Sequence, residues 1–214
     1  MLILASASPR RQELLRNAGI SFIVEPTEIL EIPQAGEEGK AFVERLAREK
    51  ARVIAQHHPR DFVLGADTTV VVDGKILNKP ADAAAAAAML HMLSGRAHQV
   101  MTGLCVIRPR RRNRLCAEKG EQRTEVVRSE LTAVTFERLG QDDITFYVKT
   151  GEWMDKAGAY GIQGIASRWI SRIEGDYFNV VGLPVALLHR MLRECGFYDG
   201  EKAAASSSRS RLSG

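Results

Sequence analysis

The pattern of apolar and polar positions predicts strands interleaved with helices along most of the chain. Short apolar runs bounded by turn residues predict strands, at 1–5, 21–24, 62–66, 68–72, 75–77, 100–107, 126–136 and 169–173. Apolar residues three and four positions apart predict helices, at 9–18, 37–57, 83–94, 141–149 and 184–195. This alternation is typical of an α/β domain, and because some neighbouring strands form hairpins we expect a mixed sheet.

Turn and capping residues support several of these boundaries. Gly19 is suited to end the first helix, and Asp82 is suited to cap the alanine-rich one. The dipeptide Asp73-Gly74 is a strong signal for a two-residue hairpin turn. Residues 199–214 are rich in Ala, Ser and Arg without apolar periodicity, which predicts a disordered tail after a domain at 1–198.

Composition narrows the class of protein. The chain has 214 residues, 45% of them hydrophobic and 26% charged, as is ordinary for a folded globular domain. Aromatic residues make up only 6%, so the core must consist mainly of Ala, Leu, Val and Ile. No apolar run approaches the roughly 20 residues needed to cross a bilayer. The first eight residues lack the features of a secretory signal, so we expect a cytoplasmic protein.

Positive charge is concentrated in two places. The formal net charge is +4, but Arg108–Arg114 alone contains five arginines and no acidic residue, and the tail is also basic. The rest of the chain is therefore acidic, which argues against a general nucleic-acid role. We interpret 108–125 as a basic insertion between strands; a solvated surface loop is the common case, and a nucleic-acid contact is the alternative. Three cysteines without a paired motif indicate free thiols.

The first helix begins with a candidate anion site. Ser8 is a favourable N-cap, Pro9 suits the first helical position, and Arg10 and Arg11 follow at once. Two cations are unfavourable at a helix N-terminus unless an anion binds there. Backbone N–H groups and guanidinium groups together would bind a phosphate. A capped helix with solvated arginines is the alternative.

Candidate acid–base groups follow in the next two elements. Lys50 falls near the centre of the apolar stripe of the helix at 37–57, so it either extends to solvent or reaches a polar pocket; solvent is the commoner outcome. Asp67 follows a buried apolar strand and precedes Thr68, at a place where α/β sheets bind ligands. That carboxylate can bind a divalent metal, act as a general base, or simply form a turn. Lys79 is a further cation that could face the same cleft.

Residues 155–164 form a glycine-rich segment, DKAGAYGIQG. Tyr160 offers a surface for stacking, and the Gln163 amide has both a donor and an acceptor that could read an imide edge. The spacing of the glycines is not that of a dinucleotide-binding fingerprint, so a flexible surface loop is the alternative. Among the histidines, His98 lies beside candidate site segments.

Taken together, these segments resemble the Maf family of nucleoside triphosphate pyrophosphatases. The motifs that carry the resemblance are SASPRR at 6–11, LAREKA at 46–51, GADT at 65–68, KP at 79–80, LSGRAH at 93–98, DKAGAYGIQG at 155–164, GDY at 175–177 and GLP at 182–184. They occur in the family's order and extend from about residue 2 to 197. The arginine-rich connection and the serine-rich tail depart from the usual pattern without touching a motif.

The resemblance implies a fold and an activity. The fold would be a single elongated α/β domain with a mixed twisted sheet, helices on its faces and a deep cleft between two lobes. The activity would be hydrolysis of a nucleoside triphosphate to the monophosphate and pyrophosphate, with Mg²⁺ or Mn²⁺ as the cofactor. A nucleotide substrate and a homodimer are the implied partners, without a membrane or a nucleic acid.

The resemblance also implies roles for individual residues. Asp67 matches the family's general base and metal ligand, and Glu31 is the second candidate ligand. Five residues match the family's polar cleft residues: Ser8, Arg10, Glu31, Lys50 and Lys79. Of these we expect Lys50 and Lys79 to be catalytic. Arg10, Thr68 and Gln163 fall on the positions that the family associates with base choice, and with Ser8 and Arg11 they are the candidate substrate-binding residues. The GAYGIQG form resembles the branch acting on dTTP and UTP; a purine or methylated-purine triphosphatase is the alternative.

Overall fold

The computed structural model describes residues 1–109 and 124–199. The arginine run from 110 onward and the predicted tail from 200 onward lie outside the described residues. Within the described residues, seven strands form one mixed sheet: β1 (Leu2–Leu4), β2 (Phe22–Val24), β3 (Phe62–Val72), β4 (Lys75–Leu77), β5 (Ala97–Ile107), β6 (Glu125–Phe136) and β7 (Ile170–Glu174). Their order is β2-β1-β3-β5-β6-β7, with β4 paired to β3. Strand β1 pairs in parallel with both β2 and β3, and every other pair of neighbouring strands is antiparallel. The expected α/β class and mixed sheet are confirmed.

Six α-helices accompany the sheet within the described ranges: α1 (Pro9–Asn17), α2 (Gly39–His57), α3 (Ala83–Leu93), α4 (Gln141–Thr150), α5 (Tyr177–Val181) and α6 (Val185–Glu194). Two 3₁₀ segments, Ala157–Ala159 and Ile165–Trp169, follow α4. The caps are those expected, since Ser8 accepts a hydrogen bond from the N–H of Arg11 and Asp82 from that of Ala85. Helix α5 was not predicted from the sequence, because one turn and a half gives too few residues for a periodic signal. No helix in the described part of the chain is long and apolar enough to span a membrane.

Strand β3 corrects one prediction. We expected a strand to end at Asp67 and another to begin at Thr68, but a single strand of 11 residues runs through both. Continuous antiparallel pairing with β5, from Val63 to Val71, holds it together. The shorter parallel partner β1 ends opposite Leu64, so Asp67 lies beyond the carboxyl end of β1 instead of its own strand.

Side chains alternate between the two faces of the sheet. Leu2 and Leu4 face a core formed with α1 and α6, whereas Ile3 faces α2. Gly65 and Gly103 lie beneath α2, where an added Cβ would come within 2.0 Å of the Ala47 carbonyl and 2.3 Å of the Val43 carbonyl, respectively. The two glycines therefore let the backbone of α2 rest directly on β3 and β5, which sets the distance at which a helix side chain meets the sheet.

The apolar core is built mainly from aliphatic side chains in most of the molecule, as the low aromatic content predicts. The clusters under α1, α2 and α6 are mainly aliphatic, while the aromatics concentrate around α3 and α4. The cysteines Cys105 and Cys195 are free and buried, as expected, and Cys116 lies outside the described ranges. Burial raises the pKa of the Cys105 thiol to about 12, which makes it unreactive at neutral pH.

Candidate active site

Lys50 and Asp67 form a buried ion pair between α2 and β3. Their side chains are 8% exposed, and the Lys50 Nζ lies 2.6 Å from Asp67 Oδ1. The commoner outcome for a lysine in an apolar stripe, extension to solvent, is not the one found here. Gly65 lies two residues before Asp67 on the same face of β3, and the close approach that it permits brings the ammonium within reach. A buried lysine is thus satisfied by a buried acid.

Glu31 completes this cluster from the irregular segment between β2 and α2. Its Oε1 lies 2.6 Å from the Lys50 Nζ, and its Oε2 lies 2.9 Å from the Lys79 Nζ. Asn78 donates a hydrogen bond of 3.0 Å to the Glu31 carbonyl and accepts one of 3.0 Å from the Thr69 hydroxyl. The chain thereby brings together four residues predicted for the site. Asn78 was not predicted from the sequence, where its only signal was its place before Lys79.

The two carboxylates of this cluster differ in electrostatic environment. Burial raises the pKa of Asp67, and the positive charges of Lys50 and Arg11 offset that effect only in part. Burial also acts on Glu31, but the hydrogen bonds and charges of Lys50 and Lys79 outweigh it and lower the pKa to about 2. Asp67 is therefore the more basic carboxylate, and Glu31 is the one that stays charged.

Arg11 is turned into the protein instead of toward solvent. It is 8% exposed, and its guanidinium donates to four oxygens: the Gly182 carbonyl at 2.9 Å, Ser6 Oγ at 2.9 Å, the Ala66 carbonyl at 3.0 Å and Thr68 Oγ1 at 3.0 Å. Burial lowers its pKa although the Asp67 and Glu31 carboxylates act in the opposite direction. Five N–H bonds are available, so one remains for a ligand. Arg11 thus ties α1 to β3 and to the end of α5.

The Thr68 hydroxyl belongs to a directed chain of hydrogen bonds. Thr102 Oγ1 donates to the Asn179 carbonyl at 3.0 Å, and it lies 2.9 Å from Thr68 Oγ1. Because a hydroxyl has one proton, Thr68 must donate to Thr102, while it accepts from Arg11. The Thr68 hydroxyl can therefore only accept a further hydrogen bond. A ligand group that binds there must be a donor.

Arg10 lies close enough to the glycine-rich segment for its charge to act on Lys156. Arg10 is half-buried, and its guanidinium makes no hydrogen bond with any described residue, so it is available to an anion. Burial and then the charge of Arg10 lower the pKa of Lys156. Gln163 is exposed and its amide likewise has no partner in the described ranges. Ser8 serves as the N-cap of α1, through a 3.5 Å contact with the Arg11 N–H.

His98 supports this segment from below. It is 3% exposed, and its Nε2 lies 2.7 Å from the Tyr160 hydroxyl. Burial lowers the His98 pKa to about 4, so the imidazole is neutral at physiological pH. Tyr160 is itself buried against Phe136 in an edge-to-face contact, which removes the stacking surface that the sequence suggested.

The donor set is suited to a metal ion that is held partly by substrate. Among residues 1–109 and 124–199 no three His, Cys, Asp or Glu side chains form a metal-binding group. Asp67 and Glu31 are nevertheless joined through one Lys50 ammonium. Mg²⁺ is commonly bound by one or two carboxylates together with substrate phosphates, and this pair fits that pattern.

A match along most of the chain decides the family. The sequence model of the family described as Maf-like protein matches residues 1–195. The chain belongs to the Maf family. A Maf relative named dTTP/UTP pyrophosphatase, from Koribacter versatilis, is 53% identical over 195 residues, which are 91% of this chain and 94% of the relative. Another of the same name, from Symbiobacterium thermophilum, is 50% identical over 196 residues, covering 92% and 94%.

One solved structure is more distant from this Maf protein. A nucleoside-triphosphatase / dITP/XTP pyrophosphatase from Mycobacterium abscessus is 19% identical, with a TM-score of 0.39, and the match covers 64% of this chain and 75% of that one. The family assignment made from the motifs is confirmed by the match over residues 1–195, independently of that structure.

Proposed function

We propose that this Maf protein is a nucleoside triphosphate pyrophosphatase that hydrolyses dTTP and UTP to the monophosphate and pyrophosphate. The observation that carries the proposal is the buried Lys50 ammonium, which holds Asp67 and Glu31 together close to the arginines of α1. Relatives at about half identity over nine-tenths of the chain, named as dTTP/UTP pyrophosphatases, support the substrate.

Asp67 acts as the general base for a water molecule. One oxygen, Oδ1, is occupied by Lys50, and the other accepts no hydrogen bond from the described residues. The raised pKa makes this carboxylate a better proton acceptor than an exposed aspartate. The water attacks the α-phosphorus, its proton passes to Asp67, and the bond from the α-phosphorus to the bridging oxygen breaks to release pyrophosphate.

The cations stabilise the negative charge of the triphosphate. Arg10 is available at the N-terminus of α1, and Lys79 is half-exposed and reaches the site through Glu31. Lys50 donates two of its three N–H bonds to carboxylates, which leaves one for a phosphate oxygen. Fixed donors of this kind are commonly the largest contribution to catalysis. Mg²⁺ or Mn²⁺ held by Asp67, Glu31 and the phosphates would supply further charge neutralisation.

Gln163 distinguishes the base. Its amide N–H₂ can donate to O4 of uracil or thymine while its carbonyl accepts from N3–H. Together with Arg10 and Thr68, it occupies the positions that the family associates with base choice. An elongated molecule with a deep cleft between two lobes, and a homodimer, complete the proposal; sedimentation velocity would test the dimer.

A nucleotide panel tests the substrate. UTP, dTTP, CTP, GTP and 7-methyl-GTP would each be incubated with Mg²⁺ or Mn²⁺, and released pyrophosphate and orthophosphate measured separately. We expect pyrophosphate from UTP and dTTP, without orthophosphate. Preference for 7-methyl-GTP would favour the purine alternative, and orthophosphate as the first product would contradict cleavage between the α- and β-phosphates.

A further inference from the structure

Gly161 and Gly164, which lie on either side of Ile162-Gln163, pack directly against side chains of the segment that follows α4. A Cβ added to Gly161 would lie 2.8 Å from Lys156 Cε and 3.0 Å from its Cδ. A Cβ added to Gly164 would lie 2.1 Å from Glu152 Oε1 and 2.4 Å from its Cδ. The Lys156 stem and the Glu152 carboxylate therefore occupy the space beneath the backbone on each side of Gln163.

Glu152 is itself fixed at both carboxylate oxygens. Its Oε2 accepts a hydrogen bond of 2.9 Å from the Ile165 N–H, directly after Gly164. Its Oε1 accepts one of 3.2 Å from the hydroxyl of Tyr147, which is buried on α4. The Lys156 ammonium donates to the Glu152 carbonyl. The supports of residues 161–164 are thus bonded to α4 and to one another.

The preceding part of the segment is anchored to the sheet. A Cβ at Gly158 would lie 2.8 Å from Val70 Cγ2, and the Gly158 N–H donates to the Asn78 carbonyl at 3.3 Å. Asp155 and Ala159 adopt left-handed backbone conformations, with φ of 58° and 62°. Non-glycine residues keep such conformations only where their surroundings enforce them. The segment is therefore held in one conformation, in contrast to a flexible surface loop.

We propose that Glu152 and Lys156 are positioning residues for base discrimination, which act by holding residues 161–164 so that the Gln163 amide meets the pyrimidine edge. This inference rests on the proposed function. Neither side chain needs to touch the substrate, because each lies beneath the backbone that carries Gln163. Without this support the amide would sample several orientations, and part of its discrimination would be lost.

The test measures kcat and KM for UTP and for GTP in Glu152→Ala and Lys156→Met, by pyrophosphate release. We expect Glu152→Ala to lower the kcat/KM ratio of UTP to GTP about 10-fold, mainly by raising the KM for UTP. Lys156→Met keeps an apolar stem over Gly161 but loses the Nζ hydrogen bonds, so a loss of about 3-fold is expected. Matched controls are Glu137→Ala and Lys149→Met at exposed positions.

A double variant separates positioning from general stability. If Glu152 acts through Gln163, then Glu152→Ala will not lower the UTP-to-GTP ratio further in a Gln163→Ala background. Equal loss for both nucleotides, or an additive loss in the double variant, would overturn the positioning role. Lys156→Met provides the same comparison if Glu152→Ala fails to fold. A wild-type protein that releases no pyrophosphate would overturn the proposed function and this inference with it, whereas a selective wild type with unchanged variants overturns only the inference.

Discussion

Asp67 is buried and lies among charged groups, whereas Gln163 is exposed and hydrogen-bonds to no described residue. Burial and the charges of Lys50 and Arg11 set the pKa of Asp67. The position of the Gln163 amide is set by the packing of nearby glycines against Glu152 and Lys156. In the proposed function, the chemistry common to all nucleotides depends on electrostatics, while the choice among nucleotides depends on where the hydrogen-bonding amide of Gln163 is held.

The largest expected effect is that of Asp67→Asn. Asparagine has nearly the same shape but cannot take a proton, so kcat should fall about 1000-fold for UTP and GTP alike. Lys50 keeps its ion pair with Glu31, so the fold should survive. Pyrophosphate release and thermal melting measure the two properties, with Asp73→Asn in the exposed hairpin as the control. Turnover near the wild-type rate would remove Asp67 from the mechanism.

Gly65→Ala should disturb the charged cluster through packing. The new Cβ meets the α2 backbone at Ala47, so helix and sheet must separate. We expect a loss of about 3 kcal/mol in the free energy of unfolding, together with lower kcat because Lys50 moves away from Asp67. Urea denaturation and kinetics measure both. Gly140→Ala, where the nearest atom would be 3.4 Å away, is the control; equal effects of the two would contradict the close packing.

His98→Gln tests a further difference between the two regions: His98, which bonds Tyr160 of the glycine-rich segment, is neutral, whereas the cluster around Asp67 is charged. The folded-state pKa of His98, about 4, lies below its ordinary value of 6.5, so between these values the unfolded chain binds more protons. The stability that neutral His98 contributes is complete above pH 6.5 and is lost as the pH falls toward 4, by about 3 kcal/mol. Urea denaturation across this pH range should show that the free energy of unfolding falls less in His98→Gln than in the wild type. In the exposed His91→Gln control it should fall as much as in the wild type. Parallel curves for wild type and His98→Gln would contradict the shift.

Lys79→Gln should have the smallest effect. Lys79 is half-exposed and shares Glu31 with Lys50, so the free energy of unfolding should change by less than about 1 kcal/mol. Its loss should move the Glu31 pKa upward from about 2 and lower kcat/KM about 10-fold for every nucleotide. The pH profile of kcat/KM measures this, with the exposed Lys75→Gln as control. A selective effect on UTP would place Lys79 in base choice instead.

Local patterns predicted most elements, and the errors have physical causes. The break predicted at Asp67 was wrong, because pairing with β5 outweighs the polarity of one residue. Whether Lys50 points inward could not be predicted, since both orientations suit the same helix stripe. The rigidity of residues 155–164 was equally hidden, because its supports at Val70 and His98 come from distant strands.

By itself the sequence determined the α/β class, the Maf motifs and the kinds of chemistry available, because periodicity, turn residues and acid–base groups are local properties. Only the tertiary structure decided which of those groups meet. Lys50 and Asp67 are 17 positions apart, and Arg11 bonds to a carbonyl 171 positions away. Burial and the charge of such distant neighbours set each pKa and each orientation, and these arise only when the chain has packed.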